Sequence, residues 1–180
     1  MFTLQTPESG GNGSPRELEG AIDEYALRQR TVVIRHRSNH RVVALLEILS
    51  SGYKSNRHAI RSLLDKAVAA LAPGIHLLLV DLYPPGPRDP QGVHGIVWER
   101  LTEDAYTRPA DKPLTLAAYV AGPVPTAYVE PVAVGDVLPE MPIFLVPNSY
   151  VQAPLEATYR QAWDAFPSAL KGRLDPTPEP

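Results

Sequence analysis

Two acids are set among aliphatic residues in this chain. Glu47 lies within Val42-Val43-Ala44-Leu45-Leu46-Glu47-Ile48-Leu49, and Asp81 closes Ile75-His76-Leu77-Leu78-Leu79-Val80-Asp81. Side chains alternate along an extended segment, so Glu47 shares a face with Val43, Leu45 and Leu49, and Asp81 with Ile75, Leu77 and Leu79. Burying an unpaired carboxylate is expensive, so each acid needs a partner. Lys54 lies in the loop that follows the first run. Two convergent carboxylates beside a lysine can hold Mg²⁺; the metal activates water and the ammonium offsets negative charge on a phosphoryl group. Glu47 and Asp81 are therefore the candidate metal ligands, and together with Lys54 the candidate catalytic residues read from the spacing. The alternative is structural: Glu47 pairs with Arg30 or Arg35, and Asp81 caps the turn before Leu82-Tyr83-Pro84-Pro85-Gly86.

The elements that would position these groups can be read from periodicity. Apolar runs on either side of Ser38-Asn39-His40 predict a β-hairpin with strands at about 29–37 and 41–49. Ile60, Leu63, Leu64, Ala67 and Leu71 recur at helical spacing, giving a helix from about 57 to 72 with Ser55 or Asn56 as its cap and Pro73-Gly74 as its stop. The continuous apolar run at 75–82 predicts a buried strand, and strand, helix and strand in succession predict a βαβ unit with parallel strands. Both acids then fall at the carboxyl ends of parallel strands, the edge at which open α/β sheets bind ligands. Lys54 and the amino end of the helix open onto that edge and favour an anion. Further strands are expected at about 94–101 and 114–120. A helix at about 154–166, opened by Pro154, should dock on the sheet through Leu155, Tyr159, Ala162, Trp163 and Phe166. The predicted class is α/β with a mixed central sheet.

At 180 residues and 44% apolar content the chain suffices for one core. The expected organisation is a flexible lead at 1–15, a single domain at 16–174 and a flexible proline-rich tail at 175–180. Eighteen of the twenty prolines lie from Pro73 onward, so the second half is expected to consist of short strands and turns. No apolar run is long enough to span a bilayer and the start lacks a signal-peptide pattern, from which a cytoplasmic protein without a membrane partner is expected. The absence of cysteine excludes thiolate metal sites and a cysteine nucleophile. The net charge of −3 conceals an asymmetry: Arg28 to Lys66 holds nine basic residues and two acids. Arg30, Arg35, Arg37 and Arg57 in that segment are the candidate contacts to a polyanion, nucleic acid among them; a solvated basic face is the alternative. The five histidines show no metal or triad spacing, and Trp98, Tyr119 and Trp163 fall on apolar stripes that suit core packing.

The segment Leu46-Glu47-Ile48-Leu49-Ser50, Lys54, a helix bearing Lys66, Gly74-Ile75-His76-Leu77 and Val80-Asp81-Leu82 resembles the bacterial domain of unknown function family 4058. Tyr119-Val120-Ala121-Gly122, Ala127-Tyr128-Val129-Glu130-Pro131, Leu138-Pro139, Met141-Pro142 and Pro154-Leu155-Glu156-Ala157-Thr158-Tyr159 extend the resemblance over roughly residues 25 to 175. The same order of strand, lysine-bearing helix and strand ending in aspartate is similar to the restriction-endonuclease-like PD-(D/E)XK superfamily. That similarity implies Glu47 as the second metal-binding acid and Lys66 or Lys54 as the lysine. Leu49 stands where the motif's lysine would be, and a first acid would have to come from Glu19, Asp23 or Glu24. The resemblance thus implies a non-catalytic or degenerate nuclease-like binding module, with a Mg²⁺-dependent nuclease acting on nucleic acid as the alternative.

Overall fold

The computed structural model describes residues 31–54, 56–168 and 171. Among the described residues seven strands and four helices follow in order: β1 Thr31–Arg35, β2 Val42–Ile48, the single turn α1 Ser51–Lys54, α2 Arg57–Leu71, β3 His76–Asp81, α3 Gly92–Thr102, β4 Leu114–Val120, β5 Thr126–Val132, β6 Met141–Val146, β7 Ser149–Ala153 and α4 Leu155–Ala165. Strands β1 to β5 form one sheet in chain order, antiparallel except that β2 and β3 run parallel. The hairpin and the parallel β2–α2–β3 unit thus appear as expected. Asn56 caps α2: its Oδ1 accepts the Ala59 N–H at 2.8 Å.

Each face of the sheet buries its own cluster. Leu45, Leu49, Leu77 and Leu79 pack with Leu63, Ala67 and Ala70 of α2 and with Val93 and Val97 of α3. On the other face Leu46, Leu78, Val80, Leu116 and Ala118 meet Met141, Phe144 and Ala153 of the β6–β7 hairpin. The sheet is sandwiched between two helices and a small second sheet, an economical way to cover both apolar surfaces.

Two expectations require correction. The run expected as a strand at 94–101 is the helix α3. A short apolar run bears no signature that separates a buried strand from a buried helix; here the backbone decides. Gly92 enters the helix at φ +77° and Glu103 ends it at φ +65°, while a Cβ on Gly95 would lie 2.8 Å from the Gln91 Cβ. The second correction concerns α4, which was expected to dock on the sheet. It forms where expected but buries no residue fully: only Leu155 packs on the second core, and Tyr159 is 56% exposed. Its Trp163 stacks on Phe166 instead, ring centroids 6.1 Å apart, because the β6–β7 hairpin already covers that face of the sheet. The expected lead at 1–15 and tail at 175–180 lie outside the described residues. Among the described residues no helix is long and apolar enough to cross a membrane.

Candidate functional site at the carboxyl ends of the parallel strands

In the parallel register Glu47 stands beside Leu79, which puts Asp81 one pleat further on the same face, the face covered by α2 and α3. Both acids are 1% exposed. They are held by different partners.

Glu47 is enclosed by three elements. Thr31, its register partner on β1, donates its hydroxyl to Oε2 at 2.6 Å, and Tyr53 of α1 donates to Oε1 at 2.6 Å. Lys66, in the second half of α2, reaches Oε2 in a short ion pair and also donates to Thr31 Oγ1 at 3.1 Å. Burial pushes the Lys66 ammonium below the ordinary lysine range, an effect that the adjacent Glu47 charge partly counters. Glu47 therefore has both oxygens occupied.

Asp81 answers to Lys54. The Lys54 Nζ lies 2.9 Å from Asp81 Oδ2 and 2.9 Å from Asp89 Oδ2, and donates to the carbonyls of Tyr83 at 2.6 Å and Pro84 at 3.2 Å. Asp81 also accepts the backbone N–H of Tyr83 and, at the amino end of α3, that of Val93, each at 3.3 Å. Burial raises its carboxyl above the ordinary aspartate value, with the Lys54 charge opposing. Asp89 is completely buried; its Oδ1 accepts the Gly86 N–H at 2.8 Å, while its Oδ2 has the ammonium nearby but no aligned hydrogen-bond donor. Thr115, facing Asp81 on β4, is likewise buried with its Oγ1 unpartnered.

The four residues expected to form the site lie at this edge, and the structure groups them as two ion pairs, Glu47–Lys66 and Asp81–Lys54. Of the two arginines expected as partners of Glu47, Arg30 lies outside the described residues. Arg35 instead donates to the His40 carbonyl at 2.8 Å within the hairpin. The turn reading of Asp81 coexists with its ion pair, through the Tyr83 N–H. Asp89, Thr31 and Tyr53 were not singled out from sequence. Thr31 was within reach: a hairpin turning about Asn39 places it opposite Glu47. Asp89 carries no such signal, since Arg88-Asp89-Pro90 reads as an ordinary polar turn.

This donor set does not fit Mg²⁺. Both Glu47 oxygens are taken, the cation position between Asp81 and Asp89 is filled by the Lys54 ammonium, and the two acid sets have separate counterions. Among the described residues no three histidines or acids are grouped to hold a metal ion.

The candidate polyanion contacts divide between the two ends of the sheet. Arg35 and Arg37 lie at the hairpin, where β2 begins, whereas Arg57 opens α2 beside the end of β2. The seven residues of β2 at about 3.3 Å each separate these positions by roughly 20 Å. The arginine-rich hairpin is therefore not the cradle of a substrate lying on Glu47 and Asp81.

Behind the acids, His94 of α3 lies in an aromatic nest. Its Nδ1 is 2.7 Å from the Tyr119 hydroxyl, and the Tyr106 ring meets it edge-on at 4.4 Å. Burial pushes the imidazole down to about 4 and the Tyr119 phenol well above its ordinary value. His76, on the opposite face, accepts the Ala121 N–H through Nδ1 at 3.0 Å. Both histidines serve packing, in line with the absence of any histidine motif.

Comparison with protein-family models, with curated proteins and with solved structures finds no match to this chain.

Proposed function

We propose that this chain is a non-catalytic binding module on a nuclease-like α/β core, acting in the cytoplasm on a polyanionic partner, with nucleic acid as the class to test. The observation that carries the reading is the separate neutralisation of the two acids: Glu47 is matched by Lys66 and Asp81 by Lys54. A metal-dependent hydrolase needs carboxylate oxygens directed at one empty point, with a cation left to meet the substrate. Here the lysines are consumed by the acids, and the position across from Glu47 on β1 is the neutral Thr31. The polar centre acts as a structural fastening of α1, α2 and α3 to the strand ends. Binding falls to the basic residues between Arg35 and Lys66 that remain at the surface.

The test combines cleavage and binding on one preparation. Wild-type protein is titrated with Mg²⁺ and Mn²⁺ against single- and double-stranded DNA and RNA, with Glu47→Gln alongside, and oligonucleotide binding is followed by fluorescence anisotropy over a range of salt. The expected result is salt-sensitive binding without metal-dependent cleavage. Metal-dependent cleavage by the wild type that disappears in a folded Glu47→Gln protein would overturn the reading.

A further inference from the structure

An open groove of about 370 Å³ lies beside the acid–lysine centre, lined by Arg57, Ile60, Arg61, Leu64, Pro87 and Arg88. Three guanidinium groups from two separate elements meet there, and none of the lining residues is acidic. All three arginines are exposed. Among the described residues the side chains of Arg57 and Arg61 make no ion pair or hydrogen bond. Arg88 donates to the Lys54 carbonyl at 3.4 Å, which ties the groove to the end of α1.

The local electrostatics run against this arrangement. Arg57 is the first residue of α2, where the helix dipole disfavours a cation, and the first turn contains no acid. Arg61 stands one turn on, at the spacing where like charges repel, and Arg88 adds a third cation from the loop after β3. Asp65 stands one further turn beyond Arg61, but no acid lines the groove itself, so the three cations face it together. The chemistry is also selective. Guanidinium forks suit phosphate oxygens, while the aliphatic floor of Ile60, Leu64 and Pro87 suits a flat ring. The volume lies at the lower end of the range for small-ligand sites.

We infer that this groove seats a nucleotide, with Arg57, Arg61 and Arg88 on its phosphate and its ring against Ile60, Leu64 and Pro87. The nucleotide is either free or one unit of a strand. The inference rests on the polyanion-binding reading and sharpens it, moving the contact from the hairpin to the opposite end of the sheet.

The experiment uses the full chain and two labelled probes: an adenosine mononucleotide and a single-stranded oligonucleotide of about twelve units. Inorganic phosphate serves as competitor. Arg57→Ala/Arg61→Ala and Arg88→Ala are each expected to weaken binding at least about tenfold, with the double variant lowering the salt slope by about two. Arg100→Ala/Lys112→Ala, which removes exposed charge elsewhere, is expected to change affinity by less than about twofold. Equal sensitivity of both probes assigns a free nucleotide; binding of the oligonucleotide alone assigns a strand. Groove variants that bind as the wild type does, or an Arg37→Ala/Arg41→Ala hairpin variant that loses as much as they do, would overturn the inference and leave polyanion binding standing. Failure of every probe to bind at low salt would overturn both. Circular dichroism on each variant shows that the fold is kept.

Discussion

Removing a carboxylate and an ammonium from water costs several kcal/mol for each ion, and their attraction repays this only where the remaining hydrogen bonds are also made. Glu47 and Lys66 meet that condition through Thr31 and Tyr53, so the pair is close to break-even as a unit and costly to divide. Lys66→Met strands Glu47 in an apolar setting and is expected to destabilise the protein by about 3–5 kcal/mol. The double variant Glu47→Leu/Lys66→Met removes both charges and is expected to recover most of that loss. Urea denaturation of the wild type, the two single variants and the double variant provides the cycle. A double variant as unstable as the sum of the singles would mean that these charges do more than balance one another. At this scale the acids were legible in the sequence because a charge inside an aliphatic run is conspicuous. Their counterions were less so: Lys66 lies nineteen residues from Glu47, and only the packing of α2 on β2 brings the two together.

The elements were legible in proportion to how strongly their periodicity singled out one structure. The α2 pattern could be read as only one thing, its cap being narrowed to Ser55 or Asn56, and the parallel β2–β3 pairing followed from the helix between the strands. For α3, Gly95-Ile96-Val97-Trp98 supplied apolarity without a period, and the deciding features are a glycine at φ +77° and the contacts of His94. That histidine joins α3 to β4 through Tyr119 and is enclosed by Trp98 and Tyr106. Because burial lowers its imidazole from the ordinary 6.5 to about 4, the unfolded chain binds the proton first. The stabilising contribution of neutral His94 is therefore complete above about pH 6.5 and is lost as the pH falls toward 4, amounting to about 3 kcal/mol in full. Asp81, raised from 3.8, works in the opposite sense, since the folded state takes up its proton first. Comparison with His94→Gln separates the two: the wild type should lose more stability than the variant between about pH 7 and pH 4.5 in urea titrations. Equal losses would show that His94 is not the group that loosens α3 in acid.

For the molecule as a whole, the two apolar clusters make β3 the innermost element. It is hydrogen-bonded to β2 on one side and β4 on the other, and its six residues are all buried, Leu77 and Leu79 toward the helices and Leu78 and Val80 toward the β6–β7 hairpin. Opening β3 therefore means giving up both clusters, which is close to global unfolding. By contrast, α4 is attached through Leu155 and through the Glu156 carboxylate, which accepts the Leu138 N–H at 3.0 Å; its later turns hold exposed Tyr159 and the Trp163–Phe166 stack. Releasing it costs neither cluster. Since local opening energies follow buried apolar contact, native-state hydrogen exchange should find the slowest amides in β3, with those from Arg160 to Ala165 exchanging at least about a hundredfold faster. Amides of α4 protected as strongly as those of β3 would contradict this, because the packing described gives α4 too few buried contacts to resist opening on its own. The same logic explains why the acid–lysine centre is built where it is. By clamping α1, α2 and α3 to the ends of β2 and β3, it fixes the floor on which Arg57, Arg61 and Arg88 are displayed, and an arginine groove on a rigid floor loses less ordering entropy when it closes on a ligand.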